Sequence, residues 1–445
     1  MRARPLLLLA LLALAGTTPL LLAARGQDPA ARPPRRQLHC GALLAVPGQA
    51  PLRERTLVVR GGKIEQVLEG WVQPGALNVP AEEAEVIDLR RAFVLPGLID
   101  CHVHLTSEYS AKARLEAVEL SDADRAVRGA GYARRTLLAG FTTVRDLGSS
   151  GDAAFALRDG IRQGFVPGPR ILAAGESITP TGGHSDGTLG YREELFSPPG
   201  AMEGVGDGVP GCRQAVRAQV KRGADVIKVT ATGGVLSTTA AGTGVQFHPD
   251  ELEAIVSTAR LLGRKVAAHA HGADGIKAAL RAGVDSIEHG TYLDEEAIAL
   301  FKERRAFLVP TIIAGKSVAE WAERPGFFPE PVVEKARAVG PIIQGAFGRA
   351  WKAGVRIAFG TDCGVSAHGQ NARELGYMVE AGMPPMEALV AATVNAAELC
   401  GLPDVGTLQP GKQADVIATA ASPLDDVAAL STVVFVMREG EVYRR

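Results

Sequence analysis

The stretch FVLPGLIDCHVHL, residues 93–105, is a β-prone and mostly apolar run that ends in two histidines. Side chains alternate across a β-strand, so His102 and His104 project from one face while Val103 projects from the other. Two imidazoles on one face form half of a metal site. A lone pair of this kind is equally typical of buried structural histidines, so its meaning depends on what the other strands contribute.

Seven further β-rich runs follow the first one, and longer amphipathic stretches separate them. This alternation predicts repeated βα units and parallel strands, and eight such units close a barrel. Apolar residues at helical spacing are clearest in 111–138, 249–262 and 330–353. We therefore predict an α/β fold in which residues 96–401 form a (β/α)₈ TIM barrel. Its strand runs are FVLPGLIDCHVHL (93–105), GFTTVRDLG (140–148), GPRILAAGESI (168–178), ADVIKVTATGG (224–234), KVAAHAHG (265–272), DSIEHG (285–290), AFLVPTI (306–312) and VRIAFGTDCG (355–364).

The two flanks of the predicted barrel are also β-rich. LVVRGGKIEQVL (57–68) and VVFVMREGEVY (433–443) each contain glycine at the point where a hairpin would turn. We predict that residues 37–95 and 402–445 come together as one small β-sandwich domain built from both chain ends. The alternative is a pair of unrelated edge hairpins.

The first 25 residues have the layout of a signal peptide. Arg2 and Arg4 precede an apolar run, and small residues follow it. We therefore expect export to the periplasm or the medium, with no membrane association once this segment is removed. An uncleaved anchor is the alternative, because residues 5–24 approach the roughly 20 apolar residues that a spanning helix needs.

The composition is that of a globular enzyme. Lys and Arg number 48 against 49 Asp and Glu, which gives no electrostatic footprint for nucleic acid or for an acidic membrane surface. The five cysteines are scattered and none has CxxC spacing, so they do not form a disulfide framework. The expected partner is therefore a small-molecule or peptidic substrate.

Four later strand runs also carry side chains of metal-ligand type. Lys228 has the apolar Ile227 and Val229 on the opposite strand face, so its amine is expected in the barrel mouth, where an unpaired ammonium is costly. It is either a salt-bridged core lysine or a lysine that CO₂ has converted to a carbamate able to bridge two metals. Catalytic groups of such barrels lie at the C-terminal strand ends. The remaining three groups are His269 in AAHAHG, His289 in SIEHG and Asp362 in FGTDCG.

This combination of strand-end residues resembles the binuclear members of the amidohydrolase superfamily. The stretches LPGLIDCHVHL (95–105) and VGTLQPGKQADVI (405–417) also resemble the flanking signatures of that superfamily, so the resemblance covers nearly all of the mature chain. The chain is most similar to the imidazolonepropionase-related dipeptidases and carboxypeptidase-like enzymes. That group cleaves the amide to a C-terminal residue, and it includes secreted enzymes that hydrolyse ochratoxin A.

The resemblance implies a bound pair of divalent metals and a carbamate on Lys228 that bridges them. Zinc is the expected metal, although imidazole and carboxylate also suit manganese and cobalt. Asp362 is expected to move the proton of the attacking hydroxide, and the relatives are often homo-oligomers, so a homo-oligomer is expected here. The implied ligands are His102, His104 and Asp362 for the more buried metal, and His269 and His289 for the more exposed one.

Three further side chains are candidates for binding substrate. His271 follows His269 by two residues and so faces the same interior, where it would donate to a substrate carboxylate or to the tetrahedral oxyanion. Many relatives carry tyrosine at this position, and a structural role behind the ligands is the alternative. His184 lies in a glycine-rich loop that lets the backbone approach a ligand. Tyr292 is a candidate for the same carboxylate, with simple packing as the alternative.

The expected reaction is metal-dependent hydrolysis of an amide to a C-terminal amino acid, in an N-acyl amino acid, a dipeptide or ochratoxin A. One alternative is a mononuclear relative of the imidazolonepropionase type, which opens a cyclic amide or deaminates a base. Such enzymes lack the bridging lysine, so Lys228 argues against this alternative. A second alternative is a non-catalytic homologue, but that class usually loses ligands and here the whole set is present.

Overall fold

The structure is a computed structural model that describes residues 35–77, 80, 84–237 and 242–445. The predicted signal peptide, residues 1–25, lies outside the described residues, so its cleavage and the export of the protein stay predictions. Within the described ranges, no helix combines the length and the apolar character needed to cross a bilayer.

The described residues form strands and helices in the alternating order that the sequence predicts for the barrel region. The strands are β1 (Arg35–Leu43), β2 (Leu52–Arg60), β3 (Lys63–Glu69), β4 (Ala84–Pro96), β5 (Leu98–Val103), β6 (Phe141–Asp146), β7 (Arg170–Ala173), β8 (Val226–Thr230), β9 (Lys265–Ala270), β10 (Ser286–His289), β11 (Phe307–Val309), β12 (Arg356–Ile357), β13 (Val416–Thr419), β14 (Val433–Arg438) and β15 (Glu441–Arg444). The α-helices are α1 (Ala113–Glu119), α2 (Asp122–Leu138), α3 (Ala153–Arg162), α4 (Gly208–Arg222), α5 (Pro249–Leu261), α6 (Ala273–Ala282), α7 (Glu295–Arg304), α8 (Ile312–Ala322), α9 (Glu330–Lys352), α10 (Arg373–Glu380), α11 (Pro385–Val390) and α12 (Ala396–Cys400).

Strands β5 to β12 are the eight predicted strands of the TIM barrel. Parallel ladders join β5 to β7 in one sheet and β8 to β12 in another. Backbone hydrogen bonds bridge both gaps between these sheets. Asp225 N donates to Ala173 O (2.8 Å) between β7 and β8, and Cys101 N donates to Phe359 O (2.9 Å) between β5 and the residues after β12. The eight strands therefore share one hydrogen-bonded wall, as the predicted fold requires.

Several barrel strands are buried along their whole length because helices cover their outer face. Every residue of β5, β6 and β8 is buried. Local capping fixes where several of the covering helices begin. Ser121 and Asp124 form a reciprocal capping box at the start of α2, and the Asp294 side chain accepts from Ala297 N (2.8 Å) at the start of α7.

Both chain ends contribute to one seven-stranded sheet, in the order β15-β14-β13-β4-β1-β2-β3. Strand β4 lies at its centre, parallel to β1 and antiparallel to β13. The two hairpin turns also meet, since Ala414 N donates to Gly62 O (2.8 Å) and Gly440 N donates to Ala414 O (3.1 Å). The association of the two chain ends in one β domain is therefore confirmed, whereas the limits 37–95, 96–401 and 402–445 stay a prediction.

The β domain and the barrel are joined by close packing and by ion pairs. β4 leads into β5 through Gly97, where an added Cβ would lie 2.2 Å from the Thr142 hydroxyl oxygen, so a larger residue has no room. Arg170 at the start of β7 donates to Asp415 Oδ2 (2.7 Å) and to Glu439 Oε1 (2.7 Å) in the β domain. The N-terminal ends of the barrel strands are thereby anchored, which leaves the opposite ends free to carry a site.

Replacing Phe359 tests how much the packing of the barrel interior contributes to the stability of the fold. Its fully buried ring stacks on Phe141, with ring centroids 5.5 Å apart. We expect Phe359→Ala to lower the free energy of unfolding by about 3–5 kcal/mol, because the lost ring leaves a cavity. Urea denaturation followed by circular dichroism measures this change. Phe165→Ala, at a ring that is 78% exposed, is the matched control, and equal effects of the two substitutions would contradict the expectation.

Candidate active site

The C-terminal ends of the barrel strands surround a cavity that contains most of the residues predicted for the site. The predicted residues on its wall are His102, His104, His184, Lys228, His269, His271, His289 and Asp362. Tyr292 does not line this cavity and is 37% exposed. The rest of the wall is largely apolar, with Val235, Leu236, Val318, Val339, Ile343 and Val365.

One group of ligand atoms comes from β5 and from the segments that follow β5 and β12. Asp362 Oδ1 lies 3.1 Å from His104 Nε2 and 3.5 Å from His102 Nε2. These three residues can offer ligand atoms that all lie within 4.8 Å of one another. Asp362 has a φ of 58°, and such left-handed backbone in a residue other than glycine concentrates at functional sites. The bond from Asp362 N to His102 O (2.7 Å) holds this turn against the first strand.

A second group of ligand atoms comes from the ends of β9 and β10. His269, His271 and His289 also offer ligand atoms within 4.8 Å of one another. His271 was predicted to contact substrate, and the structure brings it into the group that can hold a metal. The Nε2 atom of His269 is buried and has no hydrogen-bond partner among the described residues. A buried polar atom without a partner is costly, so a ligand is expected there.

Hydrogen bonds to Nδ1 set the orientation of the imidazole rings. A partner on Nδ1 leaves Nε2 as the available ligand atom, which is the usual arrangement of metal-binding histidines. The three bonds are His104 to the Gly148 carbonyl (2.8 Å), His271 to the Thr291 hydroxyl (2.7 Å) and His289 to the Thr311 hydroxyl (2.7 Å).

Lys228 lies in the same cavity and is 4% exposed. Its Nζ atom is 3.2 Å from His102 Nε2, and burial lowers the pKa of the amine to about 8. Lys228 forms no ion pair with a described carboxylate, so the alternative of a salt-bridged core lysine has no partner in the described part of the chain.

Burial governs the charge of the other site residues. It lowers the pKa of His102 and of His184 to about 4 and that of His271 to about 3. Burial alone would raise the pKa of Asp362, but His102 and His104 outweigh it and bring the value to about 2. At neutral pH these three imidazoles are therefore uncharged and Asp362 is ionised. His104 differs, because its contact with Asp362 outweighs burial and raises its pKa.

A buried charge network behind His102 was not found in the sequence. Glu288 Oε2 lies 3.0 Å from His102 Nδ1, and the other carboxylate oxygen accepts from Arg145 (3.0 Å) and from the Ser286 hydroxyl (2.5 Å). Arg145 also donates to Cys101 O (2.6 Å). Glu288 therefore faces Nδ1 of His102, which leaves Nε2 directed toward the cavity and Lys228.

The signal that identified Lys228 could have found this network. Arg145 and Glu288 are also charged residues inside short apolar strands, in the runs GFTTVRDLG and DSIEHG. A charge buried in a strand needs a partner, and a search for complementary pairs among the strands would have matched these two residues.

His184 reaches the second ligand group from the long loop that follows β7. Its ring lies against His269, with ring centroids 4.3 Å apart. Gly234 makes this approach possible, because an added Cβ there would lie 2.1 Å from the His184 ring. The structure therefore brings His184 to the site from a segment without regular secondary structure.

Comparison with known proteins agrees with this geometry. The sequence model of the amidohydrolase family matches residues 93–444. The chain is 37% identical over 376 residues to ochratoxinase of Aspergillus niger, which covers 79% of this chain and 75% of that enzyme. It is 28% identical over 374 residues to an imidazolonepropionase of Rhizorhabdus wittichii, which covers 77% and 83%.

Two solved structures share the whole architecture. A crystal structure of an Xaa-Pro dipeptidase with methionine bound in its active site superposes with a TM-score of 0.87 and 43% identity, over 92% of this chain and 100% of that one. The crystal structure of A. niger ochratoxinase gives 0.81 and 31%, over 93% and 96%. The chain is therefore a member of the amidohydrolase family, a hydrolytic enzyme that acts on amide bonds.

Proposed function

We propose that this enzyme hydrolyses the amide bond between an acyl group and a C-terminal amino acid, with two divalent metals at the barrel rim. The observation that carries the proposal is the pair of ligand groups at one rim, with the buried Lys228 in the same cavity. Ochratoxinase and the Xaa-Pro dipeptidase are named for substrates of this class, which supports the choice.

The donor set fits divalent metals, since imidazole nitrogen and carboxylate oxygen suit zinc and also manganese or cobalt. We take zinc as the expected metal. His102, His104 and Asp362 would hold one ion, and His269 and His289 the other. When bound, such metals lower the pKa of water from 15.7 to about 7 and polarise a carbonyl group.

Lys228 would link the two ligand groups as a carbamate. The free amine attacks the carbon of CO₂, a new N–C bond forms, and the nitrogen releases a proton to solvent. The product is an anion with two oxygen atoms. The position of Lys228 supports the proposed carbamate, because this residue is buried next to His102 and lacks an ion pair with a described carboxylate.

Asp362 is the proposed proton carrier. Its carboxylate is ionised at neutral pH and lies at the cavity wall beside His102 and His104. It would accept the proton of the attacking water and later deliver it to the nitrogen of the departing amino acid. His184 and His271, which adjoin His269, are the side chains available to donate to the developing oxyanion.

The apolar wall indicates where the acyl group lies. Val235 and Leu236 after β8, Val318 on α8 and Val339 on α9 face the cavity. They belong to a buried cluster that also contains Phe328. An apolar or aromatic acyl group would gain about 25 cal/mol for each Å² that it buries there. The isocoumarin group of ochratoxin A has this character, and we propose ochratoxin A as a substrate.

The direct test is a hydrolysis screen of the purified full chain with zinc. N-acyl amino acids, dipeptides and ochratoxin A should be cleaved, with release of the C-terminal amino acid measured by chromatography. The C-terminal amide of each substrate should have a kcat/KM at least about tenfold lower, because groups that bind the carboxylate lose their partner. Equal hydrolysis of acid and amide, or activity confined to cyclic amides or bases, would reject the proposal.

Replacing Lys228 by alanine tests the bridging group. We expect loss of most activity and of bound metal, because no anion remains to join the two ligand groups, and partial rescue by acetate or propionate. Metal content by atomic emission and turnover are the readouts, with Lys221→Ala at an exposed lysine of α4 as the control. Normal turnover with full metal content in Lys228→Ala would show that the carbamate is wrong.

Glu288→Gln tests the orientation of His102. The amide keeps the shape of the carboxylate but not its charge, so metal affinity should fall about 10- to 100-fold, the usual effect of losing such a partner. Competition with a chelating dye measures the dissociation constant directly, and circular dichroism verifies that the variant is folded. Glu295→Gln, at an exposed carboxylate of α7, should bind metal normally. An unchanged dissociation constant in Glu288→Gln would remove its assigned role.

A further inference from the structure

We infer that a second, polar cavity beside the candidate metal site binds the free carboxylate of the substrate, and that Arg125 recognises it. This inference rests on the proposed function, because it assigns the two ends of the same substrate to two different cavities. It also names a specificity residue that the sequence analysis did not single out.

The second cavity adjoins the first. His104, Ser177 and Ser185 line both of them. The character of the wall then changes, because the second cavity is surrounded mainly by groups that can form hydrogen bonds. Its other lining residues are Thr106, Ser107, Arg125, Gly148, Ser149, Ser150 and Glu176.

Of the two adjoining cavities, the second is the one whose described lining residues include a permanent positive charge for a carboxylate. Lys228 is the single lysine or arginine among the described residues that line the first cavity, and the proposed carbamate makes it an anion. Some of the imidazoles in the first cavity are proposed metal ligands, which bind as neutral rings. The other imidazoles in that cavity pack against these ligands. Arg125 is the single lysine or arginine among the described residues that line the second cavity.

Arg125 has binding capacity that its own surroundings do not use. One guanidinium nitrogen donates to the Glu116 carbonyl oxygen (3.0 Å), and no described carboxylate forms an ion pair with this half-buried side chain. Two other arginines of α2 differ, since Arg128 pairs with Glu116 (2.9 Å) and Arg135 with Glu108 (3.0 Å). A planar guanidinium presents five N–H donors and matches a carboxylate with two parallel hydrogen bonds.

The size of the substrate agrees with this assignment. In an N-acyl amino acid the carboxylate is separated from the scissile carbonyl only by the amide nitrogen and the α-carbon. A carbonyl beside His104 therefore places the carboxylate within reach of the cavity that His104 also lines. The acyl group is then directed to the opposite side, against Val235 and Val339.

Glu176 places a carboxyl group in the second cavity, and this group could compete with Arg125 in deciding which charge the cavity binds. Its Oε1 accepts from Gly151 N (2.8 Å), and an ionised carboxylate there would favour the ammonium group of a dipeptide instead. Burial raises the pKa of Glu176 to about 7, which reduces its negative charge at and below neutral pH. The guanidinium group of arginine is always charged in proteins, so the cavity favours an anion.

Kinetics of Arg125 variants test the inference. With N-acyl-phenylalanine, Arg125→Gln should lower kcat/KM about 10- to 100-fold, the effect of a lost charge-assisted hydrogen bond, mainly through KM. The C-terminal amide of the same substrate should be cleaved as by the unmodified enzyme. Arg125→Lys should recover part of the loss, and Arg128→Gln on the same helix is the matched control with unchanged constants.

Calorimetric titration with the product gives a readout independent of turnover. Phenylalanine should bind the zinc-loaded Arg125→Gln enzyme about 10-fold or more weakly, whereas phenylalaninamide should show no such change. If the unmodified enzyme cleaves no N-acyl amino acid or dipeptide, the proposed function fails and this inference with it. If it prefers free acids and Arg125→Gln keeps that preference, the proposed function stands and the role of Arg125 is overturned. If phenylalanine binding were lost in Glu176→Gln and normal in Arg125→Gln, the second cavity would be an ammonium site and the role of Arg125 would be overturned.

Discussion

The buried carboxylate of Asp100 joins the first and last strands of the barrel, and the site depends on that junction. It accepts hydrogen bonds from the Thr361 hydroxyl (2.6 Å), Asn371 Nδ2 (2.8 Å) and the backbone amides of His102 (3.1 Å) and Thr361 (3.1 Å). Three of these four donors belong to His102 or to Thr361, which immediately precedes Asp362. The bonds from Thr361 and Asn371 cross the barrel seam, and the amide of His102 binds the same carboxylate, so the contacts that close the fold also set the position of His102 relative to Asp362.

A buried ion pair behind the ligands also links the barrel wall to the site. A buried ion pair contributes little net stability, but removal of one partner leaves an uncompensated charge. Arg145 and Glu288 are both about 1% exposed or less, and their contact with His102 gives the pair a use beyond stability. Lys228, by contrast, has no carboxylate partner among the described residues. That imbalance is what a carbamate and its metals would resolve.

The two adjoining cavities determine the orientation of the substrate in the proposed reaction. One has an apolar wall from α8, α9 and the segment after β8, and the other has hydroxyl groups with Arg125. His104 lies on both walls, so a scissile bond held beside it has chemically different surroundings on its two sides. An apolar acyl group and an anionic leaving group match these surroundings, which is the polarity of an N-acyl amino acid.

The sequence alone determined the strands and the side chains that end them. Alternation along a strand assigns each residue to one face, so His102, His104, Lys228, His269 and Asp362 could be predicted for one rim without any coordinates. Side-chain placement within the rim was decided by tertiary structure. His271 enters a ligand group, Tyr292 lies off the cavity, and Glu288 and Arg125 acquire roles through residues far away in the chain. The physical reason is that a strand period fixes direction locally, whereas closure of the barrel fixes which distant side chains meet.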